Sequence, residues 1–321
     1  MKPTAARSHA RCPASGSPGT SCVPAAAADV CANCGQDGGD GVKLKNCTAC
    51  LLVKYCSVDC QKTHRKQHKM ACKKRAAELK DERLYNQGHE RQEADICPIC
   101  TLPMQFPLEK NSSFNPCCMK RLCNGCMFAA MKRNMSDCPF CRENYCLKGD
   151  AEVLEKIQAR VDKKDPDAIM FLGEQIESGM LGLERNMSRA VALWTEAAEL
   201  GSADACFHLG LCYTNGDGVA QNFARGVSFY EKAAMLGQTI ARHSLGCFDG
   251  QIGNNDRAVR HLLISAKMGY TPSLETFKLM FKNGFAKKSH YAEALKGYQD
   301  ALEEMKSPER DEAKTFFDPR L

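Results

Sequence analysis

ALWTEAAELGSADACFHLG, residues 192–210, is answered by GVSFYEKAAMLGQTIARHSLG, residues 226–246. Laid over one another, Trp194 meets Tyr230, Ala197-Ala198 meets Ala233-Ala234, Gly201 meets Gly237 and Leu209-Gly210 meets Leu245-Gly246. The phase extends in both directions. Leu262 and Tyr298 continue the large-residue series at spacings of 36, 32 and 36, Ser265-Ala266 and Ala301-Leu302 continue the small pair, and Gly269 continues the glycine. Leu172-Gly173 opens the series upstream. Turn-forming residues separate two helical segments per unit: Ser178-Gly179, Asn215-Gly216-Asp217-Gly218, Asp249-Gly250 and Asn283-Gly284. A repeat of this length with two helices per unit predicts an all-α helical-repeat solenoid over residues 151–305. One helical hairpin cannot bury its own apolar stripe, whereas stacked hairpins share a continuous core. Three complete units and a fourth lacking the Leu-Gly and terminal Gly features suit the rule that end repeats are atypical.

These two phrases resemble the Sel-1-like repeat family, relatives of tetratricopeptide repeats. The resemblance implies a protein-binding scaffold.

The front half has a different character. Of 21 cysteines, 18 lie between Cys12 and Cys146. Residues 1–150 carry 23 Lys+Arg against 14 Asp+Glu, and residues 151–321 carry 21 against 24. No stretch of ~18 apolar residues is present, so no transmembrane helix is expected. The N-terminal stretch lacks an apolar signal core. Cysteine pairs in an unexported chain point to thiolate–metal sites rather than disulfides.

The first cluster reads Cys31-x-x-Cys34, Cys47-x-x-Cys50, Cys56-x-x-x-Cys60 and His68-x-x-x-Cys72. Eight ligands make two tetrahedral zinc sites with no position left for water or substrate, which is structural rather than catalytic zinc. So short a segment has almost no core of its own and needs such staples. The i, i+4 spacing of His68 and Cys72 aims both at one ion from one helical face; His64 is the rival ligand. With Tyr55-Cys56, Cys60-Gln61 and His68-Lys69, the segment resembles a MYND-type zinc finger. That resemblance implies an interleaved pairing of Cys31, Cys34, Cys56 and Cys60 on one ion and Cys47, Cys50, His68 and Cys72 on the other. Arg65 stands where the family usually has Trp. The basic run Lys62, Arg65, Lys66, Lys69, Lys73, Lys74 and Arg75 lacks interleaved aromatics for base stacking, so a solvated face is expected rather than nucleic-acid binding.

The second cluster reads Cys97-Pro98-Ile99-Cys100, Cys117-Cys118, Cys123-x-x-Cys126 and Cys138-Pro139-Phe140-Cys141-Arg142. It resembles the all-cysteine variant of the RING finger. The resemblance implies a cross-brace, with Cys97, Cys100, Cys123 and Cys126 on one ion and Cys117, Cys118, Cys138 and Cys141 on the other, for four zinc ions in the chain. Adjacent Cys117 and Cys118 are unusual for the family, and Cys146 is an alternative ligand. RING fingers hold a ubiquitin-conjugating enzyme, and Ile99, Pro139 and Arg142 fall at positions that make this contact. Such catalysis is positional, with no nucleophile to find. Ala130 replaces a Trp frequent in the family, leaving Met127, Phe128 and Met131 to supply apolar surface.

The expected organisation is a disordered tail (1–30), a MYND-type finger (31–72), a solvated, charged helical linker (73–95), a RING-like finger (96–150), the solenoid (151–305) and a charged tail (306–321). The expected partners are proteins or peptides, including a conjugating enzyme, with neither nucleic acid nor membrane. No phosphate-binding loop, dinucleotide fingerprint or H-E-x-x-H occurs. Two functions stay open: a RING-type ubiquitin ligase, and an assembly scaffold that only binds. A reducing compartment, cytoplasmic or nuclear, is expected. The Arg/Ser-rich, acid-poor start also has the composition of an organelle transit peptide.

Overall fold

The computed structural model describes residues 29–39, 41–143 and 149–317. Cys146 and nearly all of the expected N-terminal tail lie outside the described residues. The chain forms two compact units, one ending at Leu79 and one beginning at Lys80.

In the first unit, strand β1 (Lys45–Asn46) pairs antiparallel with β2 (Lys54–Tyr55), and helix α1 (Val58–Asn86) follows. Ser57 opens the helix, its Oγ accepting from the Cys60 N–H at 3.2 Å. The buried cluster here consists of Cys31, Cys47, Cys50 and Tyr55. Three thiols and one ring cannot hold two-residue strands in place by apolar burial alone.

The second unit starts with the end of α1 and a 3-10 turn at Glu93–Asp95. Helix α2 (Leu108–Asn111), the hairpin of β3 (Ser112–Asn115) and β4 (Lys120–Cys123), and helix α3 (Asn124–Lys132) build the second finger around Met104 and Leu122. Helix α4 (Asp150–Val161) leads into antiparallel hairpins: α5 (Pro166–Ser178) with α6 (Met187–Glu199), α7 (Ala203–Asn215) with α8 (Phe223–Met235), and α9 (Thr239–Gln251) with α10 (Asn255–Lys267). The end hairpin is α11 (Thr271–Lys282) with α12 (Lys288–Glu304), and α13 (Pro308–Phe317) closes the described chain. Side chains of Asp165, Asn186, Ser202, Asn222 and Gln238 cap α5 to α9 in turn. No helix of the described residues is long and apolar enough to cross a membrane.

The two repeat markers are one device. A Cβ on Gly173 would lie 2.5 Å from Trp194 Nε1, one on Gly210 2.5 Å from the Tyr230 ring, and one on Gly246 2.7 Å from Leu262 Cγ. The Leu-Gly glycine of each first helix is the socket for the large residue of the following second helix. That is why the two markers recur in step.

Three expectations change. Asp249-Gly250 is not a bend but the end of α9, which turns instead at Gly253 (φ +82°). Asp249 is buried and accepts from Arg257 Nε at 3.3 Å, which holds it inside the helix. Residues 80–92 are not a solvated connector. Lys80 pairs with Glu231 at 2.7 Å, Asp81 pairs with Arg257, Tyr85 Oη meets His261 Nε2 at 3.2 Å, Arg242 donates to the Gln87 carbonyl, and Leu84 is buried. The charges of Lys80 and Asp81 meet opposite charges on α8 and α10, and the Gln87 carbonyl meets Arg242 on α9. The charged tail is not a tail over 308–317, because α13 packs along α3, with Ala313 fully buried and Phe316 on Phe128 at 4.8 Å.

Within this unit the finger and the repeats share a core. Met119 belongs to the cluster of Ile157, Ile169 and Trp194, Phe114 stacks on Phe171 at 4.4 Å, and Phe106 meets Tyr270 edge-on at 5.3 Å.

Candidate metal centres and an adjoining groove

Four Cys-x-x-Cys loops adopt one backbone turn. The residue after the second cysteine is left-handed in each, at Gly35 (φ +77°), Leu51 (+58°), Thr101 (+57°) and Arg142 (+64°). Its N–H returns to the carbonyl of the first cysteine at 2.8, 2.9, 2.8 and 2.9 Å respectively. Three of the four are not glycine, so each carries backbone strain of about 1–3 kcal/mol, the kind that persists where surrounding structure demands it. The turn aims both sulfurs of the pair at one point. The fifth pair is built differently: Cys123 caps α3, accepting from the Cys126 N–H at 3.4 Å.

The structure gathers the sixteen ligand candidates into four sets: Cys31, Cys34, Cys56 and Cys60; Cys47, Cys50, His68 and Cys72; Cys97, Cys100, Cys123 and Cys126; and Cys117, Cys118, Cys138 and Cys141. Within each set all ligand atoms lie within 4.8 Å of one another. Sulfur separations are 3.5 Å for Cys34–Cys56, 3.7 Å for Cys47–Cys72, 3.7 Å for Cys100–Cys123 and 3.5 Å for Cys117–Cys141. A disulfide needs about 2.05 Å. Zn–S bonds of about 2.3 Å in a tetrahedron place sulfurs ~3.8 Å apart, so the donor sets suit that ion. His68, with Nε2 3.2 Å from Cys50 Sγ, stands in the second set, while His64 turns Nδ1 to Tyr55 Oη at 3.1 Å. Cys117 and Cys118 stand together in the fourth set. The side chains of Lys62, Arg65, Lys66, Lys69, Lys73 and Lys74 are exposed.

The electrostatics ask for a cation. The N–H groups of Cys34 and Cys56 lower Cys31 to about 6, while donation to Cys60 and Cys34 pushes Cys56 up to about 12. In the second set burial raises Cys47, but the N–H groups of Cys50 and Ala49 outweigh it and bring it to about 6. Burial, then donation to Cys47 and Cys50, lifts Cys72 to about 12. Some thiols are stabilised as thiolates, and their charge keeps neighbours protonated. A dication at the shared point would deprotonate a coordinating thiol outright and remove the conflict.

Beside the third set lies a groove of about 330 Å³ whose lining includes Ile99, Ala130, Pro139 and Arg142. Ile99 and Arg142 are exposed and Pro139 is half-buried. Of the three apolar stand-ins, Met131 is exposed, Met127 packs on the finger core and Phe128 lies under Phe316. Sequence reading missed Ser307 and Glu309, which complete the groove wall, and Arg310, whose Nη2 reaches Cys100 Sγ at 3.3 Å. Each is about 200 residues from the finger, and no local pattern announces such a contact.

A finger of interleaved Cys and His donors followed by helical hairpins with glycine sockets defines a class of protein. Residues 31–72 match the MYND finger family, and residues 166–202, 203–238 and 239–270 match the Sel1 repeat. The chain thus carries a MYND finger and three Sel1 repeats. It is 36% identical over 87 residues to DAP3-binding cell death enhancer 1 of Rattus norvegicus, covering 27% of this chain and 16% of that one. It is 28% identical over 90 residues to chitin synthase regulatory factor 3 of Schizosaccharomyces pombe, covering 27% and 10%. The chain therefore spans only a small part of these relatives' length. Among solved structures, a Sel1 repeat protein from Oxalobacter formigenes aligns with 24% identity and a TM-score of 0.42, over 47% of this chain and 64% of that one.

Proposed function

We propose that the four donor sets hold four zinc ions, and that the finger over 96–150 is a RING-type module that positions a ubiquitin-conjugating enzyme while the MYND finger and repeats select partners. The observation that carries this reading is the groove: Ile99, Pro139 and Arg142 converge there although 40 residues separate Ile99 from Pro139. Ile99 offers an exposed apolar anchor. Arg142 offers a planar fork able to donate to several carbonyls of a bound enzyme and its ubiquitin. The chemistry is orientation of a thioester for attack, and it uses no acid, base or nucleophile from this chain.

Binding without catalysis is the competing reading, favoured by the packing of Phe128 against Phe316 of α13 and the burial of Met119 in the repeat core. The test is discharge of ubiquitin from a panel of loaded conjugating enzymes by the full chain. The ligase reading expects stimulated discharge that drops roughly tenfold or more in Ile99→Ala and Arg142→Ala, the loss of about 1.4 kcal/mol of transition-state positioning. No stimulation across the panel, or stimulation indifferent to both changes, leaves the scaffold alone.

A further inference from the structure

Helix α13 brings one buried charge to the second finger. The Arg310 side chain is 8% exposed, and four carbonyl or sulfur acceptors surround its guanidinium. Nη1 donates to the Pro103 carbonyl at 2.6 Å and the Met305 carbonyl at 2.7 Å, and Nη2 to the Leu102 carbonyl at 3.1 Å and Cys100 Sγ at 3.3 Å. Among the described residues no carboxylate forms an ion pair with Arg310. The neighbouring Arg91, by contrast, has Asp95 at 3.6 Å. The approach is close enough to dictate sequence on the finger side. A Cβ on Gly125, inside α3 and next to the ligand Cys126, would lie 2.8 Å from both the Arg310 backbone N and its Cγ. Ion pairing of Lys132 with Glu312 at 2.9 Å and the Phe128–Phe316 contact continue the same seam.

Four thiolates around one dication carry a net charge of about −2, and Cys97 and Cys123 are buried. Buried net charge is costly unless a counter-charge and hydrogen bonds meet it. Arg310 supplies both, and the carbonyls of Leu102 and Pro103 fix its fork so that one arm points at sulfur.

We propose that docking of α13 and zinc occupancy of the Cys97, Cys100, Cys123 and Cys126 set are one linked equilibrium, with Arg310 as the positioning residue that couples them. The C-terminal helix stabilises the bound metal, and the bound metal holds the helix. Coupling of this kind is reciprocal, so each direction can be read separately. The inference rests on the zinc reading of that set.

The test uses the full, zinc-loaded chain under chelator competition. Loss of a hydrogen-bonding partner of a metal ligand typically weakens affinity by roughly 10–100-fold. Arg310→Ala is therefore expected to weaken one zinc equivalent by about that factor and leave the others unchanged, and Cys100→Ser, which removes the same equivalent, identifies it. Arg310→Lys, which keeps the charge and loses the fork, is expected to fall between. The reverse direction needs no substitution. In the wild-type chain, hydrogen exchange over 308–317 is expected to accelerate at the chelator concentration that removes this equivalent. Unchanged release in Arg310→Ala, or unchanged exchange over 308–317 once the set is emptied, overturns the linkage while the zinc reading stands. A purified full chain without metal on this set overturns both.

Discussion

At the scale of the residue, the repeat depends on hydrogen atoms in place of methyl groups. Gly210 lies under the Tyr230 ring, and a methyl there would sit 2.5 Å from ring carbons, well inside contact distance. Neither partner can yield cheaply, since Tyr230 is buried and its Oη is 3.3 Å from Thr214 Oγ1. Gly210→Ala is expected to destabilise the chain by about 1–3 kcal/mol, the usual cost of overpacking. Gly250 is the control. It is also helical, but its nearest neighbour is Ala258 Cβ at 3.8 Å. Gly250→Ala gains helix propensity with no clash and is expected to stabilise by up to ~1 kcal/mol. Denaturant melts of the two variants beside the wild type decide the point; equal effects would show that the sockets do not govern packing.

Elements show where sequence reading succeeds and where it stops. The hairpins were legible because small and large residues must recur in phase wherever neighbouring helices touch. The cysteine pairs were legible because a tetrahedral ion and a two-residue loop between cysteines leave few spacings, whereas which pairs share an ion is what the resemblance to the two finger families implies. Asp249-Gly250 misled because an Asp-Gly pair is turn chemistry in isolation, and the pairing of Asp249 with Arg257 that overrides it is tertiary. Residues 80–92 misled in the same way, since their charges resemble a solvated face until their partners are known. One of those partners gives a pH signature. His261 is fully buried between Tyr85, Asp249, Arg242 and Arg257, and burial, then the two arginines, depress it to about 3. Its 3.6 Å approach to Asp249 is thus that of a neutral imidazole rather than an ion pair. The unfolded chain takes up this proton near the ordinary imidazole pKa, but the folded chain refuses it until far lower pH. Stability from this group is complete above the ordinary value and is lost as pH falls toward 3. Between pH 7 and 5 the loss is roughly 2 kcal/mol. His261→Gln is expected to flatten that part of the stability profile relative to wild type, and chemical denaturation at several pH values measures it. Parallel profiles would place the titrating proton elsewhere.

For the molecule beyond Lys80, shared packing predicts that emptying the second finger's donor sets weakens the repeats. The finger reaches the first repeat through Met119 and Phe114, the end hairpin through Phe106 on Tyr270, and α13 through Arg310. A zinc finger tethered to a solenoid by a linker would lose its metal without any effect on the helices. Here, emptying the sets that contain Cys117, Cys118 and Cys123 frees the hairpin that carries Met119, a side chain only 4% exposed inside the repeat core. Withdrawing a buried methionine leaves a cavity costing about 2–5 kcal/mol. In a domain of this size each kcal/mol moves the midpoint by ~2–4 °C. Chelation is therefore expected to lower the thermal midpoint of the helical circular-dichroism signal by roughly 5 °C or more. Met119→Ala, which leaves every cysteine in place, is expected to lower it similarly while the full zinc content is retained. A helical transition unmoved by chelator would mean that the repeats fold without the finger, and the shared core would then carry no energetic weight.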